Sequence, residues 1–383
     1  MTRRACHRLA GIVVSTFLFA GSLDGFASAD DQDQSQAIQE FLHIRDSMTD
    51  ATAKKRKIDA PNGIDVLEAV QIGGLEQWIS VRSYDIDNPI LLYLHGGPGA
   101  TVLPFSYLMD ESWEKNFVMV QWDQRGTGKT RCANPHYDPA LATFEEFFAD
   151  TIEMVNYLRQ RLDKDKVFVL GHSWGSVLGL HLAKKHPELL YAYVGTGQVV
   201  DTWEQEKAGY EFVVTEAEKR GDEEAITALT AIAPYPSVEN FEKKIGIQRK
   251  YMQEFGGSLR IDYFTFISKA FFESPDYSIC DWVGFLKTNF EDPHRAIVLR
   301  MLPANSDIGN FNLYGYKYDV PIFFFLGDLD RHTSTAVARQ FFNKIDAPLK
   351  KLLTLDNAGH AAPYENEEKF VEALTKYVRP LAQ

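Results

Sequence analysis

Four near-continuous apolar runs constrain the fold of this chain more than any other feature of its sequence. They lie at residues 90–94, 117–120, 167–170 and 322–326. Apolar residues at every position, instead of at alternate positions, are typical of strands buried on both faces of a parallel sheet. Segments with helical spacing of apolar residues, at 144–162 and 177–185, lie between the runs. This alternation predicts an α/β fold with a mainly parallel central sheet.

Two further patterns add an edge hairpin and an inserted helical segment. Residues 68–72 and 77–81 have strand character, and the glycine pair at 73–74 predicts a tight turn between them. Residues 200–313 contain no clear strand run, and they hold amphipathic helical stretches rich in tyrosine, phenylalanine and glutamate. Because strand character returns at Val320, we predict a helical cap inserted between two strands of one sheet.

These changes of pattern give the expected domain boundaries. The predicted order is a leader (1–29), an N-terminal arm (30–65), a first part of the core (66–200), the cap (201–315), and a second part of the core (316–383). The arm is polar, and a short helix is predicted within it at residues 37–44.

The leader has the three parts of a secretory signal peptide. Arg3, Arg4 and Arg8 supply positive charge, residues 9–20 are apolar, and the small residues at 27–29 precede an acidic run. A single membrane anchor is the alternative, but the apolar stretch is shorter than the roughly 20 residues that span a bilayer. We therefore expect export to the periplasm or the extracellular space, with no stable membrane insertion after cleavage.

Charge and cysteine content limit the classes of partner and compartment. The chain has 40 Lys and Arg against 53 Asp and Glu, a formal net charge of -13. Because phosphate backbones repel such a protein, nucleic acid is not an expected partner. Cys6 lies in the leader, which leaves Cys132 and Cys280. These two residues form either one disulfide or two buried thiols, and the sequence does not decide between them.

The strongest chemical motif is G-x-S-x-G at residues 171–175, between the run at 167–170 and a helical segment. A sharp turn from strand to helix exposes a serine hydroxyl above the sheet, and the start of the helix supplies a positive field where an oxyanion would form. This context predicts Ser173 as a nucleophile.

A glycine-rich loop at residues 95–99 follows the apolar run at 90–94. Glycines let backbone N–H groups approach a ligand without a Cβ in the way. An oxyanion site in this architecture uses the amide after the nucleophile and a second amide from such a loop. We therefore predict the N–H groups of Trp174 and Gly97 as the oxyanion donors.

An acid and a histidine should follow the nucleophile in the chain. Asp328 and Asp330 lie at the end of the run at 322–326, and His360 follows the next strand. The predicted triad is Ser173, then Asp330 or Asp328, then His360.

Nucleotide and metal chemistry have little support in the sequence. The segment at residues 126–130, G-T-G-K-T, resembles the end of a P-loop, but the full motif requires glycine at the position of Asp123. The chain has no H-E-x-x-H motif, and Cys132 and Cys280 lack paired spacing. We expect neither a metal nor another cofactor.

Three motifs together resemble the proline iminopeptidase branch of the α/β-hydrolase family. They are H-G-G-P-G at residues 95–99, D-Q-R-G-T-G at 123–128 and G-H-S-W-G at 171–175. The resemblance implies an α/β-hydrolase fold with Ser173 as nucleophile and His360 as base. Its G-x-x-D spacing from Gly327 selects Asp330 over Asp328 as the acid. It also implies that Arg125 is a structural brace.

The resemblance further implies release of an N-terminal proline, or another small residue, from short peptides. Members of the family with this activity hold the substrate's free amine with acidic cap residues, for which Glu204 and Glu206 are the candidates. Ala100, where a further glycine often stands, is a departure from the pattern. The alternatives are an esterase, a lactonase or another small-amide hydrolase with the same machinery, and a non-catalytic binding protein on a hydrolase scaffold.

Overall fold

Eight strands form one sheet in the computed structural model, which describes residues 31–109, 111–291 and 293–382. The predicted signal peptide at residues 1–29 lies outside the described residues. The strands are β1 (Ile64–Ile72), β2 (Leu75–Ser83), β3 (Ile90–Leu94), β4 (Val118–Asp123), β5 (Val167–His172), β6 (Leu190–Thr196), β7 (Ile322–Gly327) and β8 (Lys350–Leu355).

The sheet is mainly parallel, as predicted. Its strand order is β1-β2-β4-β3-β5-β6-β7-β8. The pairs β1/β2 and β2/β4 are antiparallel, and every other neighbouring pair is parallel. Because β3 and β5 are neighbours, the loops that follow them meet at the carboxyl edge of the sheet, where ligands of open α/β sheets bind.

The predicted hairpin is confirmed at the edge of the sheet. Ile72 pairs with Leu75, so that Gly73 and Gly74 alone form the turn. Their φ angles are +58° and +75°, in the left-handed region that glycine adopts without steric cost. Strand β1 begins at Ile64, two residues before the predicted start of the core.

The sheet is buried on both faces, which explains its apolar runs. In β3, Ile90, Leu92 and Leu94 belong to one hydrophobic cluster, while Leu91 and Tyr93 belong to a second. All five side chains are fully buried. Successive side chains of a strand point to opposite faces, and the core therefore continues on each side of the sheet.

Helices cover both faces and fill the insertion. They are α1 (Asp31–Arg56), α2 (Glu111–Asn116), α3 (Gly128–Ala133), α4 (Phe144–Arg161), α5 (Trp174–Lys185), α6 (Thr202–Arg220), α7 (Glu223–Ala231), α8 (Phe241–Glu254), α9 (Tyr263–Glu273), α10 (Ile279–Glu291), α11 (Arg295–Met301), α12 (Thr335–Lys344), α13 (Ala362–Glu365) and α14 (Glu367–Ala373). In the described ranges, none of them combines the length and the apolar character that crossing a membrane requires.

The cap consists of α6 to α11 and lies between β6 and β7 in the chain. Its two ends meet in a β-bridge between Asp201 and Asn310. The N–H of Thr202 donates to the carbonyl of Gly309 at 2.9 Å, which ties the same ends together. The cap therefore leaves and rejoins the core at one place, as an inserted segment should.

The N-terminal arm is mostly one helix, longer than the predicted segment at residues 37–44. Helix α1 has 26 residues and contains neither proline nor glycine, which explains its length. The ring of Phe41 packs on Phe271 and Phe272 of the cap, at centroid distances of 5.9 and 5.4 Å. Arg45 Nε donates to the carbonyl of Phe271 at 3.1 Å. The arm thus contacts α9 of the cap.

A disulfide joins Cys132 of α3 to Cys280 of α10, across 148 positions of sequence. Cys132 and Cys280 are therefore one disulfide and not two buried thiols, which the sequence alone did not decide. Beside it, Lys129 Nζ lies 2.6 Å from Asp281 Oδ2, and the hydroxyl of Tyr277 donates to the carboxylate of Asp123. The disulfide and these contacts attach one side of the cap to the core.

Candidate active site

Ser173 stands at the turn between β5 and α5. Its φ is +53°, a left-handed conformation that is rare for residues other than glycine. The N–H of Ser173 donates to the carbonyl of Thr196 at 3.1 Å, which holds the turn against β6. A Cβ on Gly175 would lie 2.0 Å from the carbonyl oxygen of Leu94, so that the close approach of α5 to β3 requires glycine there. This is the strained turn that the G-x-S-x-G motif predicts.

The three residues of the predicted triad form one chain of hydrogen-bonding contacts. His360 Nε2 lies 3.0 Å from Ser173 Oγ, and His360 Nδ1 lies 3.0 Å from Asp330 Oδ2. Asp330 and His360 are both buried. The distances suit a serine that donates to a neutral imidazole, which in turn donates to a carboxylate.

Asp330, and not Asp328, faces His360. The N–H of Thr333 donates to Asp330 Oδ1 at 3.0 Å, and the hydroxyl of Thr333 donates to Oδ2 at 2.8 Å. Burial raises the pKa of Asp330, but the electrostatic interaction and hydrogen bond with His360, together with the hydrogen bonds from Thr333, lower it below its ordinary value. The carboxylate therefore stays ionised at neutral pH.

Three contacts of His360 are not apparent from the sequence motifs. The ring of His332 stacks on that of His360, with centroids 4.3 Å apart and an interplanar angle of 8°. His172 Nε2 lies 2.8 Å from the carbonyl oxygen of His360. From the cap, the carbonyl of Ser258 accepts a hydrogen bond from the N–H of His360 at 3.0 Å. The candidate base is thus held by the cap as well as by the core.

Burial keeps the two neighbouring imidazoles neutral. It lowers the pKa of His172 to about 3, with a further contribution from His360. Burial also lowers the pKa of His332 well below its ordinary value, and the positive charge of Arg249 adds to this effect. His360 is therefore flanked by rings that do not compete with it for a proton.

Gly97 and Trp174 both lie beside Ser173, as the oxyanion prediction requires, and all three line one cavity. Trp174 is the first residue of α5, and the amides of a first helical turn have no partner within the helix. The φ of Gly97 is +108°, and a Cβ on it would lie 2.4 Å from the nitrogen of Gly99. The loop therefore needs glycine at this position, which leaves its backbone open to a ligand.

The cavity next to Ser173 lies between core and cap and has a volume of about 240 Å³. Its apolar wall consists of Val199, Phe241, Ile245, Val298 and Met301. Its polar lining includes Thr202, Gln205, Glu206, Arg249, His332 and Thr333. Because pockets for drug-sized ligands hold roughly 300–1,000 Å³, this cavity fits a small acyl group.

The two acidic residues proposed for amine binding lie in different environments. Glu206 is buried and lines the cavity. Glu204 is exposed and does not line the cavity, which corrects the prediction for this residue. The physical reason is helical geometry: residues two positions apart on α6 point in nearly opposite directions.

Glu206 is already paired with a cation. Arg249 of α8 makes a bidentate contact with it, in which Nη1 lies 3.0 Å from Glu206 Oε2 and Nη2 contacts Oε1. The hydroxyl of Tyr235 donates to Glu206 Oε2 at 2.5 Å. Glu206 Oε1 thus retains capacity for one further donor, while the pair has no net charge.

The two remaining motif residues have structural contacts. Arg125 Nε and Nη2 each lie 2.7 Å from a carboxylate oxygen of Asp150, and Nη1 lies 2.9 Å from Glu146 Oε1. Arg125 is buried and outside the cavity lining, in agreement with a brace. Lys129, in the segment that resembles a P-loop, pairs with Asp281.

Across the described residues, no three His, Cys, Asp or Glu side chains are grouped to hold a metal ion.

Comparison with known proteins identifies the fold. Residues 89–215 match the family model described as alpha/beta hydrolase fold. The chain has the α/β-hydrolase fold. A proline iminopeptidase-related protein of Thermus thermophilus has a similar structure, with a TM-score of 0.57 at 20% identity over 83% of this chain and 99% of that one.

Among sequences, this chain is similar to a probable aminopeptidase of Bacillus subtilis (strain 168). The identity is 24% over 326 residues, which cover 84% of this chain and 99% of the relative. A probable proline iminopeptidase of Leptolyngbya boryana is 25% identical over 249 residues, covering 56% of this chain and 74% of the relative. The chain thus resembles proteins named aminopeptidase and proline iminopeptidase, as its motifs predict.

Proposed function

We propose that the protein is a serine hydrolase that releases an N-terminal proline, or another small residue, from short peptides. The observation that carries the proposal is the chain of contacts from Ser173 through His360 to Asp330, which opens into a small cavity. In the proposed roles, Ser173 is the nucleophile, His360 the general base and acid, and Asp330 the group that orients the imidazole.

The proposed reaction has two halves. Ser173 Oγ attacks the scissile carbonyl while His360 Nε2 takes its proton, and the N–H groups of Gly97 and Trp174 stabilise the oxyanion. The protonated His360 then gives this proton to the leaving amine as the C–N bond breaks, which leaves an acyl-enzyme. A water molecule, deprotonated by His360, attacks the acyl carbon; the bond to Ser173 Oγ then breaks, His360 returns the proton to this oxygen, and the acid leaves.

The preference for a small N-terminal residue has two supports. The volume and the apolar wall of the cavity suit a compact side chain or ring. In addition, Glu206 Oε1 can accept a hydrogen bond from the free amine of such a residue. The names of the similar proteins, a probable aminopeptidase and a probable proline iminopeptidase, agree with this substrate class.

A panel of p-nitroanilides tests the substrate class. We expect kcat/KM for the prolyl and alanyl compounds to exceed that for the leucyl and phenylalanyl compounds by at least about tenfold, because larger groups clash with the cavity wall. The measurement is initial-rate release of p-nitroaniline by the purified protein. Equal rates across the panel, or none with any member, would contradict the proposal.

A second candidate function is an esterase, lactonase or other small-amide hydrolase with the same triad. The observation that favours it is the pairing of Glu206 with Arg249, which removes the net negative charge that would attract an ammonium group. Short p-nitrophenyl esters, assayed beside the anilides, separate the candidates. Turnover of the esters alone would favour the second function.

We also propose that the protein is exported after removal of residues 1–29. The Cys132–Cys280 disulfide supports this proposal, because such bonds form and persist mainly in oxidising compartments. We expect the mature protein in the exported fraction to begin at Asp30, and intact mass spectrometry measures this directly. A full-length chain retained in the cytoplasm would be the opposite result.

A further inference from the structure

The Glu206–Arg249 pair is the charged element of the cavity lining. Glu206 lies on α6 and Arg249 on α8, and both side chains line the space next to Ser173. The Glu206 side chain is 9% exposed and that of Arg249 is 23% exposed, so that Arg249 is the more accessible partner. A ligand that enters the cavity therefore meets a carboxylate whose charge is already balanced.

Hydrogen bonds with neighbouring side chains hold both partners in place. Tyr235 donates to Glu206, and Arg249 also contacts the side-chain oxygen of Gln248. Burial lowers the pKa of Arg249, but the charge of Glu206 and the neighbouring Tyr235 outweigh this effect and raise the pKa above its ordinary value. The positive charge of Arg249 reaches the catalytic region, because it contributes to the lowered pKa of His332, which stacks on His360.

We propose that Arg249 is a specificity-determining residue, which limits the preference for a free substrate amine by neutralising Glu206. This inference rests on the proposed function, in which the cavity receives the acyl side of the scissile bond. With Arg249 present, an ammonium group gains one hydrogen bond to Glu206 Oε1 but no net attraction. Acyl groups with and without a free amine are then accepted with similar efficiency.

The chemistry predicts opposite effects for the two partners. Without Arg249, the carboxylate of Glu206 is unpaired and attracts an ammonium group. Without the charge of Glu206, the guanidinium is unpaired and repels it. A charge pair in such an enclosed site changes the dissociation constant of a charged ligand by at least about tenfold.

A matched pair of substrates isolates the amine. L-prolyl p-nitroanilide and cyclopentanecarbonyl p-nitroanilide differ by a ring nitrogen in place of a carbon. At pH 7, below the roughly 7.7–8.0 pKa of an ordinary α-amino group, the prolyl compound carries a positive charge. The readout is the ratio of kcat/KM for the prolyl compound to kcat/KM for the cyclopentanecarbonyl compound.

We expect this ratio to be within about tenfold of unity in the wild type, to rise about tenfold in Arg249→Met, and to fall about tenfold in Glu206→Gln. Arg249→Lys keeps the charge and should keep the wild-type ratio within about threefold. The double variant Glu206→Gln/Arg249→Met has no charge at this place and should return toward the wild-type ratio. If Arg249 served folding alone, its substitution would lower kcat/KM for the prolyl and the cyclopentanecarbonyl compound together and leave their ratio unchanged.

Binding measurements separate this inference from the proposed function. Calorimetric titration of the same variants, each also carrying Ser173→Ala to prevent turnover, with L-prolinamide and cyclopentanecarboxamide gives the corresponding ratio of dissociation constants. If the wild type cleaves neither anilide, the proposed function fails, while the binding ratio still decides the role of Arg249. Ratios that stay within about threefold of the wild type in both single variants, with melting temperatures that show folded protein, overturn the inference.

Discussion

Ser173→Ala should abolish hydrolysis of every substrate that the wild type cleaves. Loss of the nucleophile from a serine triad lowers kcat on the order of 10⁶-fold, because the remaining groups cannot form the acyl-enzyme. The fold should persist: alanine removes one hydroxyl and leaves the backbone hydrogen bond from residue 173 to Thr196 in place. The measurements are kcat on the best anilide or ester, with circular dichroism and the melting temperature as checks on folding.

The control for this variant is Ser47→Ala, which removes an exposed hydroxyl from helix α1, outside the cavity lining. It should retain wild-type kcat within about twofold, as surface substitutions usually have little effect on the fold. A folded Ser173→Ala protein with more than about 1% of wild-type kcat/KM would show that another group carries the reaction.

Covalent labelling of Ser173 tests the alternative that the protein is a non-catalytic binding protein. A fluorophosphonate probe reacts with a serine that a neighbouring base activates, and it should modify Ser173 in the wild type. Peptide mass spectrometry locates the label, and Ser173→Ala should remain unlabelled. An unreactive wild-type protein would favour a binding protein on a hydrolase scaffold.

Removal of the disulfide should have the largest effect on stability. The bond between Cys132 and Cys280 closes a loop across 148 positions of sequence. The chain-entropy model gives about 5 kcal/mol for a loop of this length, while typical native disulfides contribute about 2–4 kcal/mol. We expect Cys132→Ser/Cys280→Ser to lose about 2–5 kcal/mol of unfolding free energy, measured by denaturant titration.

The wild type treated with reductant is the matched control, because it keeps both sulfur atoms. It should shift to the same denaturant midpoint as the double serine variant. Lys129 still pairs with Asp281 in both proteins, so that α3 and α10 keep a contact in the folded state. Unchanged midpoints in both samples would show that the cross-link contributes nothing to the stability of this fold.

Much of the core and of the triad could be predicted from the sequence, because both depend on local patterns. A strand buried on two faces shows itself as an apolar run, and the turn at Ser173 needs a glycine where α5 approaches β3. Strand β6 is an exception: it begins at Leu190, directly after the turn Pro187–Leu189, with no polar spacer to mark its start.

The cap side of the site could not be predicted in this way. The contact between Glu206 and Arg249 joins two helices across 43 positions of sequence, and no motif relates the residues. The stacking of His332 on His360 likewise depends on how two loops pack at the end of the sheet. Such long-range pairs follow from tertiary packing, which local propensity does not encode.

The hydrogen bond from the N–H of His360 to the carbonyl of Ser258 limits how the proposed hydrolase can be engineered. A nearby bond, from the N–H of Arg331 to the carbonyl of Gly257 at 2.8 Å, links the same cap segment to the loop that carries Asp330. Trimming the cap to admit bulkier substrates, or exchanging it for that of a relative, would remove both supports from the triad. New selectivity is therefore more accessible through point substitutions in α6, α8 and α11 than through recombination of whole segments.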